Sequence, residues 1–179
     1  MSSPKYYTGV GIADAPEDIK AEIHAIATRM SMDLYVVRSG GAVGTDAAFQ
    51  SGAGSNTEIY LPYDGYNGMS DRDGAHLNAK ELYNYDKAEY IASINCREWD
   101  TINQGERELH TRSVYSVLGF SLDNPSLVLI CYAEPSGISL VKGEYSTAVS
   151  VAHGHRIPVY NLWRIKDLIE LKRIVGIYD

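Results

Sequence analysis

The chain has only two cysteines, Cys96 and Cys131, in 179 residues. A disulfide scaffold and a four-cysteine zinc site are both excluded by that count. No apolar run approaches the roughly 18 residues a membrane span needs. The opening Met1-Ser2-Ser3-Pro4-Lys5 lacks the apolar stretch of a signal peptide, so a cytoplasmic location is expected. Basic charge is scarce as well: 16 Lys and Arg stand against 23 Asp and Glu, for a net charge of −7. Broad phosphate neutralisation favours basic surfaces, so this balance argues against nucleic acid as a partner. No HExxH, paired CxxC, GxSxG, GxGxxG or GK[ST] motif occurs, and the histidines and acids show no metal-ligand spacing. No cofactor and no metal site are implied.

No linker or repeat interrupts the chain, and residues 1–179 read as one domain. Its aromatics are 14 Tyr against two Phe and two Trp. Tyrosine suits half-buried packing and also ligand stacking.

Strands are expected at 6–11, 34–37, 58–61, 126–131 and 157–160. Helices are expected after Pro16 through Met30, then at 44–53, 75–92, 104–118, 144–153 and 162–174. Ile19, Ile23, Ile26, Ala27 and Met30 give the first helix one apolar face. Strand and helix alternate, which predicts an α/β, Rossmann-like doubly wound sheet, mainly parallel, with helices on both faces. Residues 62–74 form a long polar loop, and long loops in compact domains are often functional. The apolar faces at 19–30 and 104–118 either join two copies in a homo-oligomer or face the sheet.

The segment Arg38-Ser39-Gly40-Gly41-Ala42-Val43-Gly44-Thr45-Asp46 follows a strand and precedes a helix. Glycines there permit positive φ and close backbone approach, and the helix N-terminus offers free N–H groups. An anion site is expected, with hydroxyls of Ser39 and Thr45 and the Arg38 guanidinium as further donors. The alternative is that the glycines only close a tight turn. Gly143, Glu144, Ser146 and Thr147 open a second helix that would face the first across the sheet. Arg107, His110 and Arg112 share a helix, and one of these arginines could reach a phosphate. Cys131 ends an apolar strand and reads as core.

Tyr7-Thr8-Gly9-Val10-Gly11, the SGGAxGxD stretch at 39–46, Glu58-Ile59-Tyr60-Leu61-Pro62 and Ile157-Pro158-Val159-Tyr160-Asn161-Leu162 together resemble the SLOG superfamily. That group includes the DNA-processing protein A domain, YpsA-like proteins and the "Lonely guy" (LOG) phosphoribohydrolases. The 157–162 segment is also similar to small members often encoded by bacteriophages, a likeness that would place the chain in a host cytoplasm. It implies a Rossmann-like fold binding nucleotides at two glycine loops, with Gly11 beside the first. LOG enzymes cleave an N-glycosidic bond using an arginine in an MHxRK motif and a glutamate in a PGGxGTxxE motif. Glu108-Leu109-His110-Thr111-Arg112 resembles the first, making Arg112 the matching arginine. The glutamate's position falls on Ser150, which cannot stabilise an oxocarbenium-like state. The candidate carboxylate is then either Glu144 or an acid of the 62–74 loop.

Three functions follow from these readings. The leading one is binding of a small nucleotide or ADP-ribose-like ligand, with sequestration of a host defence signal by analogy. The second is nucleoside monophosphate N-glycosidase activity through Arg112 and Glu144. The third, single-stranded DNA binding, follows from the DNA-processing likeness, against which the acidic charge counts.

Overall fold

The computed structural model describes residues 3–178. Six strands form one parallel sheet: β1 (Lys5–Gly11), β2 (Tyr35–Ser39), β3 (Thr57–Leu61), β4 (His76–Asn78), β5 (Leu129–Tyr132) and β8 (Val159–Asn161). Their spatial order is β4-β3-β2-β1-β5-β8. The hairpin β6 (Pro135–Ser136) and β7 (Leu140–Val141) stands apart from it. The helices are α1 (Glu17–Met32), α2 (Thr45–Ala53), α3 (Tyr85–Asn95), α4 (Gln104–Leu118), α5 (Tyr145–Gly154) and α6 (Ile165–Val175).

Successive residues of a strand point to opposite faces, and this divides the core in two. Tyr7, Val37 and Ile130 pack with Ile23 and Ile26 of α1, Phe49 of α2 and Leu168 and Leu171 of α6. Val10, Tyr60, Leu129 and Cys131 pack on the other face with Ala88 and Ala92 of α3, Val114 of α4 and Val149 of α5. The doubly wound architecture expected from the alternation of strand and helix is therefore present. Gly9 has a packing reason: a Cβ there would sit 2.6 Å from the Phe49 ring. The apolar residues Ile23, Ile26, Ala27 and Met30 of α1 are buried, and so is most of α4 from His110 onward. Both stripes face the sheet.

One stretch departs from the sequence reading. Residues 75–92 are not a single helix. Ile59 pairs with His76 and Leu61 with Asn78, which makes β4 an edge strand. The Asn78 side chain then accepts from Lys80 N and starts a 3-10 turn, so α3 begins only at Tyr85. A three-residue strand has too little periodicity to signal itself, and pairing with β3 decides its state. Strand β5 likewise starts at Leu129, three residues later than expected. Among the described residues, no helix is long and apolar enough to cross a membrane.

Candidate functional site

The order of strands reverses between β1 and β5, so the chain leaves their carboxyl ends in opposite directions. Crevices for ligands form at such a switch point. Gly11 lies there, and a Cβ on it would approach the Tyr132 carbonyl to 2.5 Å and Thr45 Cγ2 to 2.6 Å. The glycine corner packs alongside. Gly41 and Gly44 adopt φ of +72° and +76°, which a side chain would strain. Thr45 holds the first turn of α2 to β1, its N–H and hydroxyl both donating to the Ile12 carbonyl.

Inside that corner sits the carboxylate of Asp46. Oδ1 accepts from Gly11 N at 3.0 Å, and Oδ2 accepts from Gly40 N at 3.2 Å and Ala42 N at 3.3 Å. Amides expected to grip an external anion thus grip an anion of the chain itself. Burial pushes the Asp46 carboxyl up to about 6, opposed by the Arg112 charge and the Gly11 and Ala42 amides and reinforced by Glu144. The Ser39 hydroxyl is likewise committed within the chain, donating to the Gly9 carbonyl at 2.6 Å.

Arg112 reaches this corner from α4. It is 1% exposed, and its Nη1 donates to the Gly40 carbonyl. Nη2 lies 3.7 Å from Glu144 Oε1 and has no hydrogen-bond partner. The guanidinium therefore sits between two carboxylates, one buried and one, Glu144, partly open to solvent. Their charges hold its pKa above the ordinary arginine value despite burial. The Tyr66 ring lies 5.5 Å from the Arg112 guanidinium, and Asn67 Nδ2 donates to the Gly41 carbonyl at 2.9 Å. The long loop at 62–74 thus folds back over the glycine corner. Arg112 and Glu144, named as candidates from the sequence, thus lie side by side, whereas the family's glutamate position, Ser150, is not in this pair. Asp46 is expected from the sequence only as part of the phosphate-binding segment, and its place as their third charge depends on contacts between segments remote in sequence.

Arg38 lies elsewhere. Its Nε donates to Glu58 Oε1 at 2.9 Å, its Nη1 donates to the Asn124 carbonyl at 2.6 Å, and its guanidinium lies 3.7 Å from the Tyr6 ring centroid. Alternation along β2 sends the side chain toward the end of α4, where Gly119 leaves room for it. Both Arg38 donors named here are committed to the protein's own groups.

The second segment divides as well. The Thr147 hydroxyl lies 2.7 Å from His110 Nδ1. Gly143 and Ser146 border a cavity of about 490 Å³ between the end of α3, the β6–β7 hairpin and the start of α5. Ser150, at the position of the LOG glutamate, borders the same cavity and donates to Asn95 Oδ1 at 2.7 Å. Along the carboxyl edge, Tyr63 is 44% and Trp163 43% exposed, the latter tilted over Tyr132 at 5.0 Å. Arg72, Lys142 and Arg164 belong to the loops of this edge.

No family model matches the chain, and no curated protein matches it. A solved structure does: DNA processing protein A from Helicobacter pylori, described for its unique single-stranded DNA binding mode. The TM-score is 0.57 at 15% identity, covering 87% of this chain and 64% of that one. This chain thus spans less than two thirds of that protein's length. At such identity the likeness shows the fold, a Rossmann-like α/β sheet of the kind the SLOG resemblance implies. It also corrects one expectation. Net acidity argued against nucleic acid as a partner, yet a neighbour in fold is a single-stranded DNA binder, and total charge says nothing about a local surface.

Proposed function

We propose that the carboxyl edge of the sheet binds single-stranded DNA. The observation that carries this reading is the fold likeness over 87% of the chain to a protein described as a single-stranded DNA binder. The chemistry of the edge is compatible with it. Bases need exposed aromatic faces, and Tyr63 and Trp163 supply them at opposite ends of the edge. Four strand spacings separate β3 from β8, which is about 19 Å. Phosphates need cations, and with the glycine-corner amides closed by Asp46 they would meet Arg72, Lys142 and Arg164 instead. Fluorescence anisotropy with a labelled oligothymidylate tests the reading. Binding at low salt that weakens as salt rises, with duplex bound less well, is the expected result. No change in anisotropy at micromolar protein and low salt rejects it.

A second reading, binding of a small nucleotide or ADP-ribose-like ligand, is favoured by one feature. Arg112 Nη2 is buried without a hydrogen-bond partner, beside a Glu144 carboxylate that solvent reaches. A ligand oxygen would satisfy it. Melting shifts with a nucleotide panel report this binding. Chromatography of the same mixtures separates intact ligand from free base, and so separates sequestration from N-glycosidase activity through Arg112 and Glu144.

A further inference from the structure

Beside the cavity at the end of α3 lies a group that neither reading uses. Cys96 borders that cavity and is 7% exposed, and its Sγ lies 3.9 Å from His110 Nε2. On the far side of the imidazole, Nδ1 is 2.7 Å from the Thr147 hydroxyl. In the tautomer that donates Nδ1–H to Thr147, Nε2 presents its lone pair to the thiol. Three elements fix this line of atoms: the end of α3, the middle of α4 and the first turn of α5. A buried thiol beside an acceptor imidazole, itself oriented by a hydroxyl, is the arrangement that activates a sulfur nucleophile.

The cavity itself has room for a small organic molecule. Arg97 and Lys142 border it against one carboxylate, Glu98, and the positive end of α5 points in the same direction. Lys142 also pairs with Glu134 at 2.5 Å, so Arg97 is the less committed cation of the two.

From this geometry we infer that Cys96 is a reactive thiol served by His110, and that it takes a small disulfide carrying carboxylates. The Cys96 proton passes to His110 Nε2 as sulfur attacks one sulfur of the disulfide. A new S–S bond forms to Cys96, the old one breaks, and the released thiolate recovers the proton from His110. The products are a mixed disulfide on the protein and one free small thiol, and no other oxidant is needed. Burial lowers the pKa of His110 and keeps the imidazole neutral, the form that accepts a proton. Cys131 offers the contrast, because it is fully buried in the core and burial pushes its thiol up to about 12.

The test treats the native chain with dithiobis(nitrobenzoate), a dianionic disulfide, and with cystamine, a dicationic one. Rates are normalised to free cysteine, and the adduct is mapped by mass spectrometry. One adduct per chain at Cys96 is expected, with Cys131 reacting only after denaturation. The anionic reagent should be favoured by roughly tenfold, a preference that Arg97→Gln diminishes. His110→Gln should slow the reaction at least about tenfold. Should that variant fail to fold, Thr147→Val, which frees the imidazole to turn, should slow it in the same direction. The inference is overturned if both cysteines react together at the unfolding rate. It is also overturned if the two reagents react alike after normalisation, or if a folded His110 or Thr147 variant reacts as fast as the native chain.

Discussion

Arg112 occupies the space that a side chain on Gly40 would need. A Cβ built on that glycine would collide with the Arg112 guanidinium, which donates to the carbonyl of the same residue. The glycine is therefore required by a side chain 72 residues along the chain and not by backbone conformation. Its φ lies outside the positive region where glycine is favoured, unlike that of Gly41.

Gly40→Ala should displace Arg112 and destabilise the fold by about 1–3 kcal/mol, as overpacking of a filled interior does. Urea unfolding of the two chains measures this. An unchanged midpoint would show that the guanidinium moves aside freely.

Asp46 makes stability depend on pH. Its native carboxyl titrates near 6, above the ordinary 3.8, so between these values the folded chain binds more protons than the unfolded one. This group's contribution is therefore full below about pH 4 and is lost as pH rises through about 6, a fall of roughly 3 kcal/mol at its limit. Asp46→Asn should flatten that part of the profile. It should also lower stability at pH 5, because its amide N–H groups would face those of Gly40 and Ala42. Urea midpoints from pH 4 to 7 for both chains check this, and parallel profiles would refute it.

Removing Arg38 should cost stability without touching the edge of the sheet. Arg38→Ala leaves Glu58 without its guanidinium and the Asn124 carbonyl without its donor, a loss of about 3–5 kcal/mol for a broken buried pair. Binding of oligothymidylate by the surviving folded fraction should be unchanged. Weaker binding at full folding would place Arg38 in the interface.

If the edge binds single strands, Trp163→Ala and Tyr63→Ala should each weaken oligothymidylate binding by about 1–3 kcal/mol. Tyr90→Ala, at an exposed aromatic on α3, should not. Equal losses at all three positions would argue against a localised stacking surface.

Much of the architecture was legible because it rests on local periodicity. The apolar stripe of α1, the Leu-Val-Leu-Ile run entering β5 and the glycine pair between β2 and α2 each announce an element within a few residues. The edge strand β4 did not, since three residues carry no pattern and only pairing with β3 makes them a strand. The site followed the same division. Gly40, Arg112 and Glu144 could be named as candidates from spacing and resemblance, and Asp46 as part of the glycine segment but not as a charge beside Arg112.

Which group satisfies which could not be named, because hydrogen bonds between distant segments depend on where side chains meet after folding. Sequence by itself determined the alternating α/β order, the parallel sheet and the glycine corner at its carboxyl edge, all consequences of short-range patterning. Tertiary structure alone decided that the Asp46 carboxylate fills that corner and that Arg38 turns away to Glu58. It also brought Cys96, His110 and Thr147 into line. Each of these is a contact between residues remote in sequence, and no local preference encodes such a meeting.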